Sequence, residues 1–163
     1  MTLVMDPRIQ APATAVRPLP PTPRTPGWWR DAVGVATWAS MLVVVALWVA
    51  GGGLQAFGTL AGALSSVGRL TGLVSANLLL IQVLLMARIP MVERVYGQDE
   101  LVRRHRLVGF TSFNLMLAHL VFIVLGYALE AGLNPLVQAW EMVVDYPGML
   151  LALAGTVLLV LVA

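Results

Sequence analysis

Long runs of apolar residues, each bounded by polar or turn-forming residues, dominate the chain from residue 31 onward. Four such segments follow one another, at about 32–54, 70–87, 107–127 and 147–163. The first three are close to the ~20 residues that an α-helix needs to cross the hydrocarbon core of a bilayer. The alternation of apolar and polar residues that a membrane β-strand requires is missing. The pattern therefore predicts an all-α integral membrane bundle of four transmembrane helices.

The first 30 residues follow a different pattern, because seven of the ten prolines lie between Pro7 and Pro26 among Ala, Thr and Arg. Such a segment buries too little apolar surface to offset the entropy lost on ordering, so we expect a disordered cytoplasmic tail over residues 1–30. A PxxP-type ligand for a partner domain is the alternative interpretation. The tail ends in an aromatic and basic anchor at the level of the lipid headgroups, Trp28, Trp29 and Arg30.

The fourth segment differs from the others because it reaches residue 163 without a basic or aromatic anchor. Membrane spans usually end on a few interfacial residues. We therefore expect the sequence to be an N-terminal piece of a longer protein, cut inside or just after this span. Residues 31–163 would then be a partial transmembrane domain.

Composition excludes several other classes of protein. Apolar residues make up 59% of the chain and charged residues 11%, against about half and about a quarter in ordinary soluble domains. A cytosolic enzyme is thereby excluded, and a net charge of +2 is too weak to indicate a nucleic-acid partner. The absence of cysteine excludes disulfides, zinc–thiolate sites, iron–sulfur clusters and thiol nucleophiles. The partner that the composition indicates is the lipid bilayer.

Arginine placement predicts the orientation of the chain in the membrane. The basic residues are ten arginines, and nine of them precede the first span or lie between the second and third. Only Arg69 falls on the other side, together with Glu130, Glu141 and Asp145. The positive-inside rule then places the amino terminus and the 88–106 loop in the cytoplasm of a multi-pass plasma-membrane protein.

The only two histidines, His105 and His119, are the main candidates for chemistry. Fourteen residues of helix return to within about 40° of the starting direction and rise about 21 Å, so both rings project from one face at different depths. Two ligands so far apart cannot hold one metal ion, but each can hold one of two stacked b-type haems. The plainer alternative is that His105 is only an interfacial residue, whereas an ionisable side chain as deep as His119 is functional by default.

Five further polar residues lie inside the predicted spans. We interpret them as hydrogen-bond partners between helices rather than as cofactor ligands. They are Asn77, Gln82, Thr111, Ser112 and Asn114.

Several motifs occur together between Gly68 and Tyr127: a basic residue that opens the second helix (Arg69), an ARIP-x-x-E-R-x-x-G turn, an HR-x-x-GF start to the third helix, and the His-x13-His spacing of His105 and His119. With these motifs the stretch resembles the transmembrane domain of the ferric reductase and NADPH oxidase superfamily. In particular it is similar to the actinobacterial flavin-linked ferric reductase-like membrane oxidoreductases. The first and fourth segments match only by their hydrophobicity.

The resemblance implies that His105 is an axial ligand of an inner b-type haem and His119 of an outer one. It also implies that Arg69 lies near the propionates of the outer haem, with a snorkelling position at the membrane boundary as the alternative. The implied activity is that of a haem b oxidoreductase carrying electrons from cytoplasmic NAD(P)H and FAD to an external acceptor such as ferric iron or dioxygen. Arg103 and its neighbours Arg104 and Arg106 are candidates to neutralise the inner propionates, although the positive-inside rule already accounts for them.

The sequence departs from the family's pattern in two respects. Two bis-histidine haems need four histidines, and the family places the second pair on a fifth helix, whereas this sequence has two histidines. It also has no flavin or nicotinamide domain, which the family carries after its sixth helix. We therefore expect missing C-terminal helices and a flavin domain, or a separate chain that supplies them, and no activity from this fragment alone. The alternative is a small non-enzymatic four-helix membrane subunit or assembly protein without haem.

Overall fold

A computed structural model describes residues 26–87 and 89–162. Every regular element in these two ranges is helical, which confirms the all-α fold. Residues 1–25 of the expected disordered tail lie outside the described residues. In chain order the elements are α1 (Trp28–Ala50), a short 3-10 helix (Gln55–Gly58), α2 (Leu60–Met86), α3 (Pro90–Tyr96), α4 (Gln98–Ala131), α5 (Pro135–Asp145) and α6 (Met149–Val162).

Three of these helices, α1, α2 and α4, are long and apolar enough to cross a membrane. The pair α5 and α6 meets the same test of length and composition only when taken together, and it is bent by 115° at the break between the two helices. The chain is therefore a multi-pass membrane protein, and its described residues form three spans, or four if the bent pair makes one span.

Helix α2 begins ten residues before the expected start near residue 70. Thr59 caps it, because the Thr59 hydroxyl accepts a hydrogen bond from the Gly62 amide at 3.0 Å. The Gly- and Ser-rich stretch after Leu60 resembles a turn by composition, but its small residues allow close packing of helices in a membrane. The expected turn is thus the first part of a span. Arg69 consequently lies well inside α2 and does not open it.

Helix α4 begins at Gln98 rather than near residue 107. It follows Gly97, whose φ of 75° is a conformation that favours glycine. Glu100 in its first turn pairs with Arg104 at 2.8 Å and with Arg103 at 3.2 Å, spacings that stabilise a helix. With 34 residues, α4 is about 51 Å long and exceeds the ~30 Å hydrocarbon core. The charged first turns are therefore free to extend beyond the core.

The segment after α4 is more regular than expected. The acidic connection is a helix, α5, which Asn134 caps by accepting a hydrogen bond from the Leu136 amide at 2.9 Å. The expected span from Pro147 onward is a 14-residue helix, α6, that follows a sharp turn at Gly148 with φ of 86°. At about 21 Å this helix alone is shorter than the hydrocarbon core.

Helices α2 and α4 form the most closely packed pair. Ser75 and Ser112 are buried where they cross, and the Ser75 hydroxyl donates to the Ser112 carbonyl at 2.7 Å. A Cβ added to Gly126 would lie 2.8 Å from the Ser65 amide nitrogen, so the two backbones nearly touch there. Packing between helices in lipid depends on such small residues, because the bilayer supplies no hydrophobic drive for their association.

Helix α1 is joined to α2 through polar contacts. The Trp48 indole donates to the Ser66 carbonyl at 2.9 Å, and the Ser66 hydroxyl donates to the Gly53 carbonyl at 2.6 Å. The Asn77 amide donates to the Ser40 hydroxyl at 3.2 Å nearer the other end of the pair. These bonds hold α1 against one side of the α2–α4 pair. Helix α1 thereby forms one wall of the candidate site.

Candidate functional site

His119 lies on α4 and points at the backbone of α2. Its Nδ1 lies 2.7 Å from the Gly68 carbonyl oxygen. A carbonyl only accepts hydrogen bonds, so Nδ1 carries a proton, and in the neutral form of the ring the lone pair lies on Nε2. The backbone of α2 thus fixes both the orientation of the ring and its tautomer, as backbone carbonyls do for histidines that bind metals.

Gly72 brings the α2 backbone against the same imidazole. A Cβ added to Gly72 would lie 2.5 Å from Nδ1 and 2.8 Å from Cε1 of His119. Real Cβ atoms do not approach other atoms so closely, so only glycine leaves space for the ring in this position. Gly72 was not among the residues predicted for the site.

A cleft of about 530 Å³ opens beside His119 between α1, α2 and α4. Its walls are mostly apolar, and its volume falls within the ~300–1,000 Å³ typical of ligand sites. Arg69 contributes the one charged side chain among the lining residues described. The main lining residues are Leu47, Trp48, Arg69, Gly72, Met116 and His119.

The position of Arg69 follows from its contact with α1. Its guanidinium donates to the Gly51 carbonyl at 3.2 Å, at the end of α1. The side chain is exposed and lies one residue after Gly68, which accepts the His119 hydrogen bond. Arg69 is therefore close to His119, although the predicted reason, the start of a helix, was wrong.

His105 lies near the other end of the α2–α4 pair, in a separate cleft of about 310 Å³. Its Nδ1 lies 3.4 Å from the Gln82 carbonyl oxygen, a much longer contact than that of His119. The lining includes Gln82, Gly109 and Ser112, and two residues of α6, Leu159 and Val162. Helix α6 thus flanks His105, whereas α1 flanks His119.

Both histidines face α2, as their spacing predicts. His105, Gly109, Ser112, Met116 and His119 form a stripe on α4 at intervals of three and four residues, which is one side of a helix. The stripe places one imidazole near each end of the α2–α4 interface, about 21 Å apart along the helix. Each ring is partly buried. That either histidine is a haem ligand stays a prediction.

The polar residues within the spans fall into two groups. Asn77, Gln82 and Ser112 contact other helices, since Asn77 bonds Ser40 and the Ser112 hydroxyl donates to the Gln82 side chain at 3.3 Å. Thr111 and Asn114 instead bond carbonyls of their own helix, at 2.9 and 2.8 Å. The expectation of contacts between helices was wrong for these last two.

The arginines that precede and follow His105 do not line its cleft. Arg103, Arg104 and Arg106 line a different groove, between α4 and α1. Arg103 lies two residues from His105, which is about 200° around the helix and so nearly opposite. Within the described residues, no group of three or more His, Asp or Glu side chains is arranged to hold a metal ion.

Comparison with known families matches residues 71–163 to the ferric reductase like transmembrane component. This chain belongs to that family. The match includes His105 and His119 and begins two residues after Arg69. It also includes the fourth apolar segment, for which hydrophobicity alone indicated the family. No curated protein and no solved structure gives a significant match. The chain is accordingly the membrane part of an oxidoreductase-type protein.

Proposed function

We propose that the chain is the N-terminal membrane part of a haem b oxidoreductase that carries electrons from cytoplasmic NAD(P)H and FAD to an external acceptor. His105 and His119 are each one axial ligand of a b-type haem in this proposal. Membership in the ferric reductase-like family supports the oxidoreductase class. The observation that carries the haem assignment is the 2.7 Å contact between His119 Nδ1 and the Gly68 carbonyl.

That contact suits a haem ligand because it leaves Nε2 as the nitrogen with the lone pair. An acceptor on the far ring nitrogen also raises the basicity of the ligating nitrogen and holds the ring still. The adjoining cleft of about 530 Å³ is largely apolar, as a porphyrin requires, and Arg69 in its lining would neutralise a propionate. When bound, a b-type haem would supply an iron centre that exchanges one electron at a time.

The geometry supports the assignment of His105 to the other haem less strongly than that of His119. Its 3.4 Å contact with the Gln82 carbonyl orients the ring weakly, and its cleft is smaller. The assignment rests on the shared stripe of α4 and on the separation of about 21 Å, which spans most of the ~30 Å hydrocarbon core. One electron carrier would then lie near each side of the membrane.

The two histidines of the sequence provide one ligand for each haem. We propose that further helices of the same protein, or a separate chain, provide the second ligands, together with a domain that binds FAD and NAD(P)H. The arginine distribution favours a cytoplasmic position for the 88–106 segment in a plasma-membrane protein. Electrons would then enter on the side of His105.

Haem content of the full-length protein tests this function. We expect two low-spin b-type haems per polypeptide, and one in each of His105→Ala and His119→Ala, measured from haem extracts and reduced-minus-oxidised spectra. Asn114→Ala is the matched control, because Asn114 is an exposed polar residue of α4 that donates to the Phe110 carbonyl of its own helix. A full-length protein without haem, or a histidine variant that keeps both haems, would contradict the assignment.

A further inference from the structure

A second groove, of about 870 Å³, lies between α1 and the first turns of α4, beside α3. We call it the arginine groove. One of its walls is apolar and includes two large exposed side chains, Trp38 at 73% and Phe110 at 70% exposure. The apolar wall comes from three helices: Gly34 and Trp38 of α1, Ile81 and Leu85 of α2, and Leu107 and Phe110 of α4.

The rim of this groove is basic. Arg103, Arg104 and Arg106 line it, with Glu100 as the acidic residue among the lining, so the lining carries three positive charges against one negative, a net +2. The Glu100 carboxylate is shared between Arg103 at 3.2 Å and Arg104 at 2.8 Å. One carboxylate therefore leaves an excess of positive charge at this end of the groove.

Arg104 is held in place rather than freely mobile. Its guanidinium carbon lies 4.5 Å from the centre of the Tyr96 ring, a cation–π contact, while the Tyr96 hydroxyl donates to the Arg30 carbonyl at 3.1 Å. Tyr96 thereby connects α3 to α1 and positions Arg104 at the rim. The basic rim is thus partly preformed by contacts among three helices.

The groove is also separate from both histidine clefts. Arg103, Leu107 and Phe110 follow one another at intervals of four and three residues, so they share one face of α4. His105 lies about 200° from Arg103 around the helix, in a cleft lined by α6. The function proposed for the histidines therefore makes no use of this groove.

We propose that the arginine groove binds one anionic glycerophospholipid, with the phosphate at the arginine rim and an acyl chain along the apolar wall. A free anion would gain nothing from Trp38 and Phe110. A zwitterionic lipid would gain less from the three arginines than an anionic lipid, because they repel the ammonium group beside its phosphate. Basic residues next to an apolar surface between membrane helices are the recognition chemistry of acidic lipid headgroups. Lipid binding in this groove depends neither on haem nor on the orientation of the chain.

The test compares two lipids bound to the purified protein. The protein is reconstituted in nanodiscs of phosphatidylcholine with or without phosphatidylglycerol, released into mild detergent, and examined by native mass spectrometry for retained lipid. We expect one retained phosphatidylglycerol and no retained phosphatidylcholine. In Arg103→Gln/Arg106→Gln the apparent affinity for phosphatidylglycerol should fall roughly 30-fold, since two of the three positive charges at the rim are lost.

Two further variants distinguish binding in the groove from a general attraction of the basic chain for acidic lipid. Gly34→Leu leaves every charge in place and extends into the groove, and a Cβ at Gly34 meets nothing within 4 Å. It should keep its helix content by circular dichroism and still lose the lipid. Arg17→Gln/Arg24→Gln removes the same charge from the tail and should retain the lipid.

Retention of phosphatidylcholine as readily as phosphatidylglycerol would overturn the proposal. So would equal losses in the rim and tail variants, because binding would then follow net charge rather than the groove. Displacement of the bound lipid by millimolar inorganic phosphate would also overturn it, since the site would be one for a free anion.

Discussion

At the scale of single residues, the environment of His119 depends on two backbone features of α2. The Gly68 carbonyl accepts a hydrogen bond from Nδ1, and Gly72 leaves the space in which the imidazole lies. Neither feature involves a side chain on α2. The orientation of the ring therefore depends on how closely the two helices approach.

Gly72→Ala should disturb this arrangement directly. The added Cβ would lie 2.5 Å from Nδ1, so the ring or the helix must move, and overpacking of this kind costs about 1–3 kcal/mol of stability. We expect a lower unfolding temperature for the chain in detergent, measured by circular dichroism.

Gly155→Ala is the matched control for this substitution. Gly155 lies inside α6, and a Cβ there meets nothing within 4 Å. Alanine favours a helix over glycine by about 1 kcal/mol, so this variant should be unchanged or slightly more stable. If both variants unfolded at the same temperature as the wild type, Gly72 would not constrain the ring.

The sequence is enough to locate the two histidines on one face of a helix, but it does not reveal their acceptors. A carbonyl acceptor has no sequence signature, because every residue carries one. Gly68, Gly72 and Ser75 do repeat at the three- and four-residue intervals of the histidine stripe. That run of small residues is the signal that α2 is the helix packed against His119.

At the scale of elements, the pairing of α2 with α4 organises the bundle. Its centre is the contact between the buried Ser75 hydroxyl and the Ser112 carbonyl at 2.7 Å. A larger side chain at this point has to push the helices apart, and both histidine clefts would change with them.

Ser75→Leu should therefore destabilise the chain by about 1–3 kcal/mol through overpacking. Ser75→Ala should cost only the ~0.6 kcal/mol that is typical of a hydrogen bond between membrane helices. Unfolding of the purified chain in mixed micelles measures both. Ala152→Leu on the exposed surface of α6 is the control. Equal stability of Ser75→Leu and Ala152→Leu would show that α2 and α4 do not pack at Ser75.

Hydrophobicity predicts which segments form the first three spans, but not where they begin. The stretch before Arg69 resembles a turn because Gly and Ser favour loops in soluble proteins, whereas in α2 they pack against α4. The α5–α6 bend was likewise not predicted, because it depends on the backbone at Gly148 and not on the apolar content of the segment.

At the scale of the whole molecule, the orientation in the membrane decides which of the two proposed haems would receive electrons first. The sequence has no cysteine, so single cysteines can be introduced without background labelling. Asp99→Cys, in the first turn of α4, should react with a membrane-impermeant maleimide only after the cells are opened. Asn134→Cys, which follows α4, should react in intact cells.

The reverse labelling pattern would invert the orientation, and His119 would then lie on the cytoplasmic side. Labelling of both positions from the same side would mean that α4 does not cross the membrane. Expression and membrane insertion of each variant are checked by antibody detection in the membrane fraction before labelling.

The order of electron transfer tests the proposed function most directly. In full-length protein, His119→Ala should still allow NAD(P)H to reduce the remaining haem, followed by stopped-flow absorbance without oxygen, but should not deliver electrons to an external acceptor. His105→Ala should do neither, because a rise of about 21 Å would separate the remaining haem from its donor. Each variant must first be shown to retain one haem. If His105→Ala retained its haem and delivered electrons at the wild-type rate, the proposed path would be wrong.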